Sequence, residues 1–125
     1  MIKLKYFELS EFNSPDQENS GLNMDHTFLR MLDRARDIAS ISFKINSGYR
    51  SEAHNLKVGG VPKSSWSRGS SHLYGFAADI ACKNSNNREI IVRSLITAGF
   101  TRLGIANSFI HVDNDPNKVA ALWLY

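Results

Sequence analysis

Four histidines are spread through the chain, at positions 26, 54, 72 and 111, and two of them stand near aspartates in settings suited to chemistry. The first setting is Ser70-Ser71-His72-Leu73-Tyr74-Gly75-Phe76-Ala77-Ala78-Asp79, and the second is Phe109-Ile110-His111-Val112-Asp113. Where thiolates are absent, zinc takes imidazole nitrogen and carboxylate oxygen, and a catalytic site uses three protein ligands with the fourth position open. His72, Asp79 and His111 would supply two nitrogens and one oxygen. Asp79 is the most telling of the three. It interrupts the apolar run Phe76 to Cys82, where an unpaired carboxylate is costly to bury, and a metal would neutralise it. Ala77 and Ala78 leave room beside it for other chain segments. The residues alone keep other readings open. His72 could be a loop histidine beside a turn, Asp79 could pair with Arg50 or cap a helix, and His111 could be a hydrogen-bonded sheet histidine.

The scaffold that must position these groups is small. At 125 residues it is one domain's worth of protein, with 42% hydrophobic and 22% charged residues, which argues against disorder. The 15 Lys and Arg against 12 Asp and Glu leave a formal charge of +3. That balance is compatible with nucleic acid, an anionic cell wall or no charged partner at all, and the basic residues are too dispersed to read as a nucleic-acid site. Cys82 is the sole cysteine, which excludes an internal disulfide and a cysteine-rich zinc module. There is no run of 18 apolar residues, so no membrane span is expected. The opening residues lack an h-region and a cleavage site, so synthesis in a cytoplasm is expected.

Apolar periodicity predicts a helix from Met24 to Ile41, capped by Asn23 or Asp25. Alternation at Phe43, Ile45 and Ser47 predicts a strand. A short helix is expected over Ser51 to Val58, with Ser51 as cap and Gly59-Gly60 as breaker. Phe76 to Cys82 reads as a buried strand. Asn86 to Ala98 reads as a helix, with Asn86 and Glu89 as a capping box and Gly99 closing it. Arg102 to Ala106 and Phe109 to Asp113 read as a hairpin turning at Asn107-Ser108, and Leu122 to Tyr125 as an apolar segment packed on the sheet. Polar, turn-rich tracts fall at Asn13 to Asn23, Gly59 to Ser71 and Lys83 to Asn87. The expected class is α+β, a small and mostly antiparallel sheet with flanking helices.

These motifs together resemble the zinc D-alanyl-D-alanine carboxypeptidase family, which is grouped with lysostaphin-type enzymes and the hedgehog signalling domain. The pattern S-x-H-x-x-G-x-A-x-D is met by Ser70, His72, Gly75, Ala77 and Asp79, and F-[IV]-H-V-D by Phe109 to Asp113. S-G-Y-R-S, H-N and V-G-G are met by Ser47 to Ser51, His54-Asn55 and Val58 to Gly60. The opening Tyr6 to Phe12 and the closing Trp123 and Tyr125 are similar to the compact phage-type branch. The resemblance implies a hedgehog/D-Ala-D-Ala peptidase-like fold over residues 1–125, with Zn2+ on His72, Asp79 and His111. It makes Arg50 the group that holds a substrate carbonyl or carboxylate and the developing oxyanion, and it places Ser70 near the substrate, with turn chemistry as the alternative. Peptidoglycan stem peptides containing D-alanine are the implied partner.

Two departures stand out. Many family members carry an acidic or histidine base three residues before the last ligand, and Ser108 occupies that position here. Asp113 is the nearest replacement: two residues from His111 on a strand, it shares that face. It can take a proton from water as general base, or it can orient an imidazole. The tract Pro62 to Ser71 is longer than in close relatives, so Trp66, beside Arg68, is expected either to line the substrate groove as a binding residue or flap, or to fold back on the core. The expected activity is metal-assisted hydrolysis by a monomer, as D,D-carboxypeptidase or endopeptidase of phage-lysin type. Delivery to the wall would be through a membrane pore or as a virion component. The alternative is a catalytically weak or inactive zinc-containing domain that binds the wall or serves in a virion.

Overall fold

The computed structural model describes residues 2–125. Three helices and five strands appear in the order α1 (His26–Ala39), β1 (Ile45–Ser47), α2 (Glu52–Lys57), β2 (Ala77–Ala81), α3 (Ser85–Thr97), β3 (Arg102–Ile105), β4 (Phe109–Asp113) and β5 (Ala121–Leu124). Short 3-10 turns lie at Leu9–Phe12, Ser20–Asn23 and Ser71–Tyr74. The strands form one sheet in the order β1-β2-β4-β3-β5. All neighbouring pairs are antiparallel except β3 with β5, which run parallel. The architecture is the expected α+β one.

Two helix starts show why local sequence chooses these boundaries. Asp25 caps α1 by accepting from the Phe28 amide, and Ser51 caps α2 by accepting from the His54 amide. Helix α3 begins earlier than its periodicity suggests. Asn84, not Asn86, is the cap, accepting from the Asn87 amide at 2.8 Å. Asn87 therefore holds the capping-box position N3, and Glu89, two residues further on, instead accepts from Arg93 one turn along the helix.

Strand alternation divides the sheet into two unlike faces. On one face Ala78, Ile80, Leu103, Ile110 and Val112 join Phe28, Leu29, Leu32 and Ala35 of α1 and Ile91 and Leu95 of α3 in a single buried core. The other face carries Asp79 on β2, His111 and Asp113 on β4, Arg102 and Gly104 on β3, and Trp123 on β5. The closing segment does more than pack on the sheet, as was expected of it. It adds β5 as an edge strand, with Trp123 opposite Gly104.

Candidate metal centre and groove

Register places the two acidic and imidazole groups of the sheet together, because Asp79 pairs directly with His111. His72 arrives from outside the sheet on the 3-10 turn Ser71–Tyr74. Ser70 caps that turn, its hydroxyl accepting from the His72 amide at 3.3 Å. His72 Nδ1 donates to the Gly48 carbonyl at 2.7 Å, which leaves Nε2 as an acceptor 3.4 Å from Asp79 Oδ1. His111 Nδ1 lies 3.0 Å from the same oxygen. His111 Nε2 lies 2.7 Å from Asp113 Oδ2.

Ligand bonds of about 2.0–2.1 Å to a tetrahedral ion set donor atoms about 3.3 Å apart. The two separations from Asp79 Oδ1 bracket that figure, and the donor atoms of His72, Asp79 and His111 all lie within 4.8 Å of one another. Nitrogen, nitrogen and oxygen donors form a set suited to zinc. Each imidazole also has its other nitrogen on an oxygen acceptor, the arrangement that fixes the tautomer of a metal-binding histidine. The residues present fit the ion.

Electrostatics agree with that reading. Burial alone would raise the Asp79 carboxyl, but the hydrogen bond from His111 and the nearness of the His72 imidazole outweigh it and hold the group well below the usual carboxylate range. Asp113 is likewise lowered, against burial, by its bond to His111 and by Arg102. Burial, the dominant effect at His72, pushes that imidazole down and keeps it neutral. His111 is the opposite case: burial would lower it, yet Asp113 and Asp79 together raise it.

Arg50 lies at the edge of this cluster, donating from Nη2 to Asp79 Oδ2 at 3.1 Å. The pairing of Asp79 with Arg50 that sequence left open is therefore present, and it coexists with the metal-binding geometry because the two use different carboxylate oxygens. The cluster opens into a groove of about 390 Å³ lined by Arg50, Gly60, Ser70, Lys118, Trp123 and Tyr125 among others. A second groove of about 450 Å³, beside Ile2, Phe7 and Leu22, holds no histidine and no aspartate.

Asp113 takes one of its two expected placements, and Trp66 takes neither of its own. Asp113 is only 1% exposed, and both of its oxygens are engaged. Oδ2 faces His111, while Oδ1 accepts from Arg102 Nε at 2.7 Å and from the Asp115 amide at 3.2 Å. That geometry suits a carboxylate that orients the His111 imidazole. Trp66 neither lines the groove nor folds onto the core. It stands 96% exposed on a loop whose own bonds, Ser64 amide to Ser67 carbonyl and Trp66 amide to Ser64 hydroxyl, present it outward.

Sequence reasoning missed the aromatic wall contributed by β5. The Trp123 ring lies 5.4 Å from that of His111, and Tyr125 packs against Phe109 at 5.1 Å. The signal was Gly104, opposite both His111 and Trp123. A Cβ there would lie 2.5 Å from Trp123 Nε1, so only glycine lets the indole cross the sheet.

Comparison with known proteins gives one result. A family model described as Peptidase M15 matches residues 5–113, which takes in every candidate ligand and stops short of β5. No individual curated protein matches the chain.

Proposed function

The chain belongs to the peptidase M15 family, and from that premise we propose that it hydrolyses peptidoglycan peptide bonds involving D-alanine. M15 peptidases are zinc-dependent, so the chain is a metallopeptidase. The observation that carries the finer reading is the convergence of His72 Nε2, Asp79 Oδ1 and His111 Nδ1 beside the Arg50 guanidinium in an open groove.

His72, Asp79 and His111 would hold a zinc ion, which would supply Lewis-acid polarisation of the scissile carbonyl and a water nucleophile competent near neutral pH. The protein's own groups do the rest. Gly48 and Asp113 fix the two imidazoles so that the correct nitrogen of each faces the ion. Arg50 offers a charged, planar donor to the developing oxyanion or to a substrate carboxylate. Ser70, on the groove wall, holds the turn that carries His72. Asp113 acts through His111 in this scheme. The proposed setting is that of a phage-type lysin, a monomer reaching the wall through a membrane pore or as part of a virion, with the +3 charge favouring an anionic polymer. Among the described residues no helix is long and apolar enough to cross a membrane.

One observation favours a second reading, a zinc-containing domain that binds the wall without cutting it. The two carboxylates lining the groove, Asp79 and Asp113, are both paired, and Ser108 stands where an acidic base is common. Mass analysis of purified sacculi after digestion separates the two. Free D-alanine marks a carboxypeptidase and loss of cross-linked dimers an endopeptidase, each abolished by chelator and by His72→Ala. Unchanged sacculi with retained pull-down would favour the binding domain.

A further inference from the structure

Asn55 sits on α2, only 1% exposed, in a position where an apolar residue would be ordinary. A buried amide is kept only where its polar atoms find partners, and both ends of this one do. Nδ2 donates to the Val61 carbonyl at 3.0 Å, and Oδ1 accepts from Arg50 Nη1 at 3.2 Å. Its backbone carbonyl takes the Gly60 amide at 2.8 Å. Gly60 passes so close that a Cβ on it would lie 2.0 Å from Asn55 Oδ1 and 2.9 Å from Arg50 Nη1. The chain can cross there only without a side chain, and by crossing it presses the amide against the guanidinium.

Arginine carries five N–H donors. In Arg50, Nε donates to the Ser47 hydroxyl at 2.9 Å, Nη1 to Asn55 and Nη2 to Asp79. Two N–H remain, one on each Nη, on a side chain that lines the groove. Donors on both Nη atoms can address the two oxygens of a carboxylate. Three anchors hold the guanidinium, one on each nitrogen. Ser47 and Asp79 alone leave the Nη1 edge without a partner.

Resting on the peptidase reading above, we propose that Asn55, seated against Gly60, is a positioning residue that aims the free N–H pair of Arg50 into the groove for a substrate carboxylate. The Nδ2 half of the amide fastens α2 to Val61, whose carbonyl also takes the Ser70 amide at 2.8 Å. The Oδ1 half acts on Arg50. The two halves separate by substitution, since Asn55→Asp keeps an acceptor for Arg50 and loses the donor to Val61, whereas Asn55→Ala loses both.

The test is a double-mutant cycle on zinc-loaded protein, reading kcat/KM for a peptide ending in D-alanine, together with the 15N signals of the Arg50 guanidinium. Asn55→Ala lowers kcat/KM by about 10- to 100-fold in the wild-type background, the scale of a misplaced catalytic group. It lowers it less than about threefold when Arg50 is already Ala, because the two act as a unit. In the NMR arm, wild type and Asn55→Asp show separate Nη signals from hindered rotation, and Asn55→Ala shows them merged. An equal loss in both backgrounds, or unchanged guanidinium signals in Asn55→Ala, overturns the proposal. A wild-type protein that hydrolyses nothing sinks the peptidase reading, and the guanidinium signals still decide the positioning.

Discussion

Strands β2 and β4 present two faces that share a backbone and little else. Ala78, Ile80, Ile110 and Val112 enter a core covered by α1 and α3, and their neighbours Asp79, His111 and Asp113 enter the groove. A one-residue slip would exchange the faces, so the burial that secures the fold also secures the register of the ligands. The core face tolerates apolar exchange of similar volume. The polar face is a chain of paired charges in which each group's protonation depends on the next.

The largest expected effect falls on the polar face. His72→Ala should abolish zinc retention and lower hydrolysis by at least about a thousandfold, as removal of a member of a catalytic unit does, measured by metal analysis and peptide turnover. Zinc retained at full stoichiometry would place the ligands elsewhere. On the opposite face, Ile110→Ala should cost about 2–5 kcal/mol in denaturant unfolding while the folded fraction still binds zinc. Loss of zinc at full folding would show that the two faces are not separable.

Asp113→Asn sharpens the comparison inside the polar face. An orienting carboxylate predicts zinc affinity weakened by about 10- to 100-fold in competition with a chromophoric chelator. Unaltered affinity with a collapsed kcat would restore Asp113 as general base.

The pH dependence follows from the signs of the shifts. The lowered carboxyls of Asp79 and Asp113 contribute stability that is present above their unfolded value of about 4 and is lost as pH falls through their folded values. The raised imidazole of His111 stabilises the metal-free protein below about pH 6.5, and that contribution is lost as pH rises through its folded value. Zinc must displace that proton, so apparent affinity should improve about tenfold per pH unit below the His111 value. A flat titration across that range would contradict the assignment of His111 as a ligand. The smallest effect is expected at Trp66, where Ala should change stability by less than about 0.5 kcal/mol. A larger drop in melting temperature would mean that the loop packs in solution.

Much of this was legible in the sequence, for physical reasons. A lone aspartate in an apolar strand has to be neutralised by something, and period-2 spacing puts His111 and Asp113 on one face. That logic reaches Asp79, His111 and the hairpin of β3 and β4, while His72 joins the candidate ligands through zinc's preference for imidazole and through the family resemblance. It could not find what depends on contacts between distant segments. Asn55 enters the sequence reading only as part of a motif, and its hold on Arg50 shows only in the structure, where Gly60 brings a second segment against it. The parallel pairing of β5 was hidden because four apolar residues do not declare a partner. The helix cap differs because Asn84, Asn86 and Asn87 are all competent caps by residue type, and it is Asn84 whose side chain accepts from the Asn87 amide. The length of the Pro62 to Ser71 tract leaves Trp66 open to lining the groove or folding on the core, and the loop's internal bonds turn it outward instead.

The central claim is that one ion joins the two histidines and the aspartate. Anomalous diffraction at the zinc edge from zinc-loaded crystals tests it directly. The account predicts a single strong peak within bonding distance of His72 Nε2, Asp79 Oδ1 and His111 Nδ1. A peak elsewhere, or none at full zinc loading, would contradict it.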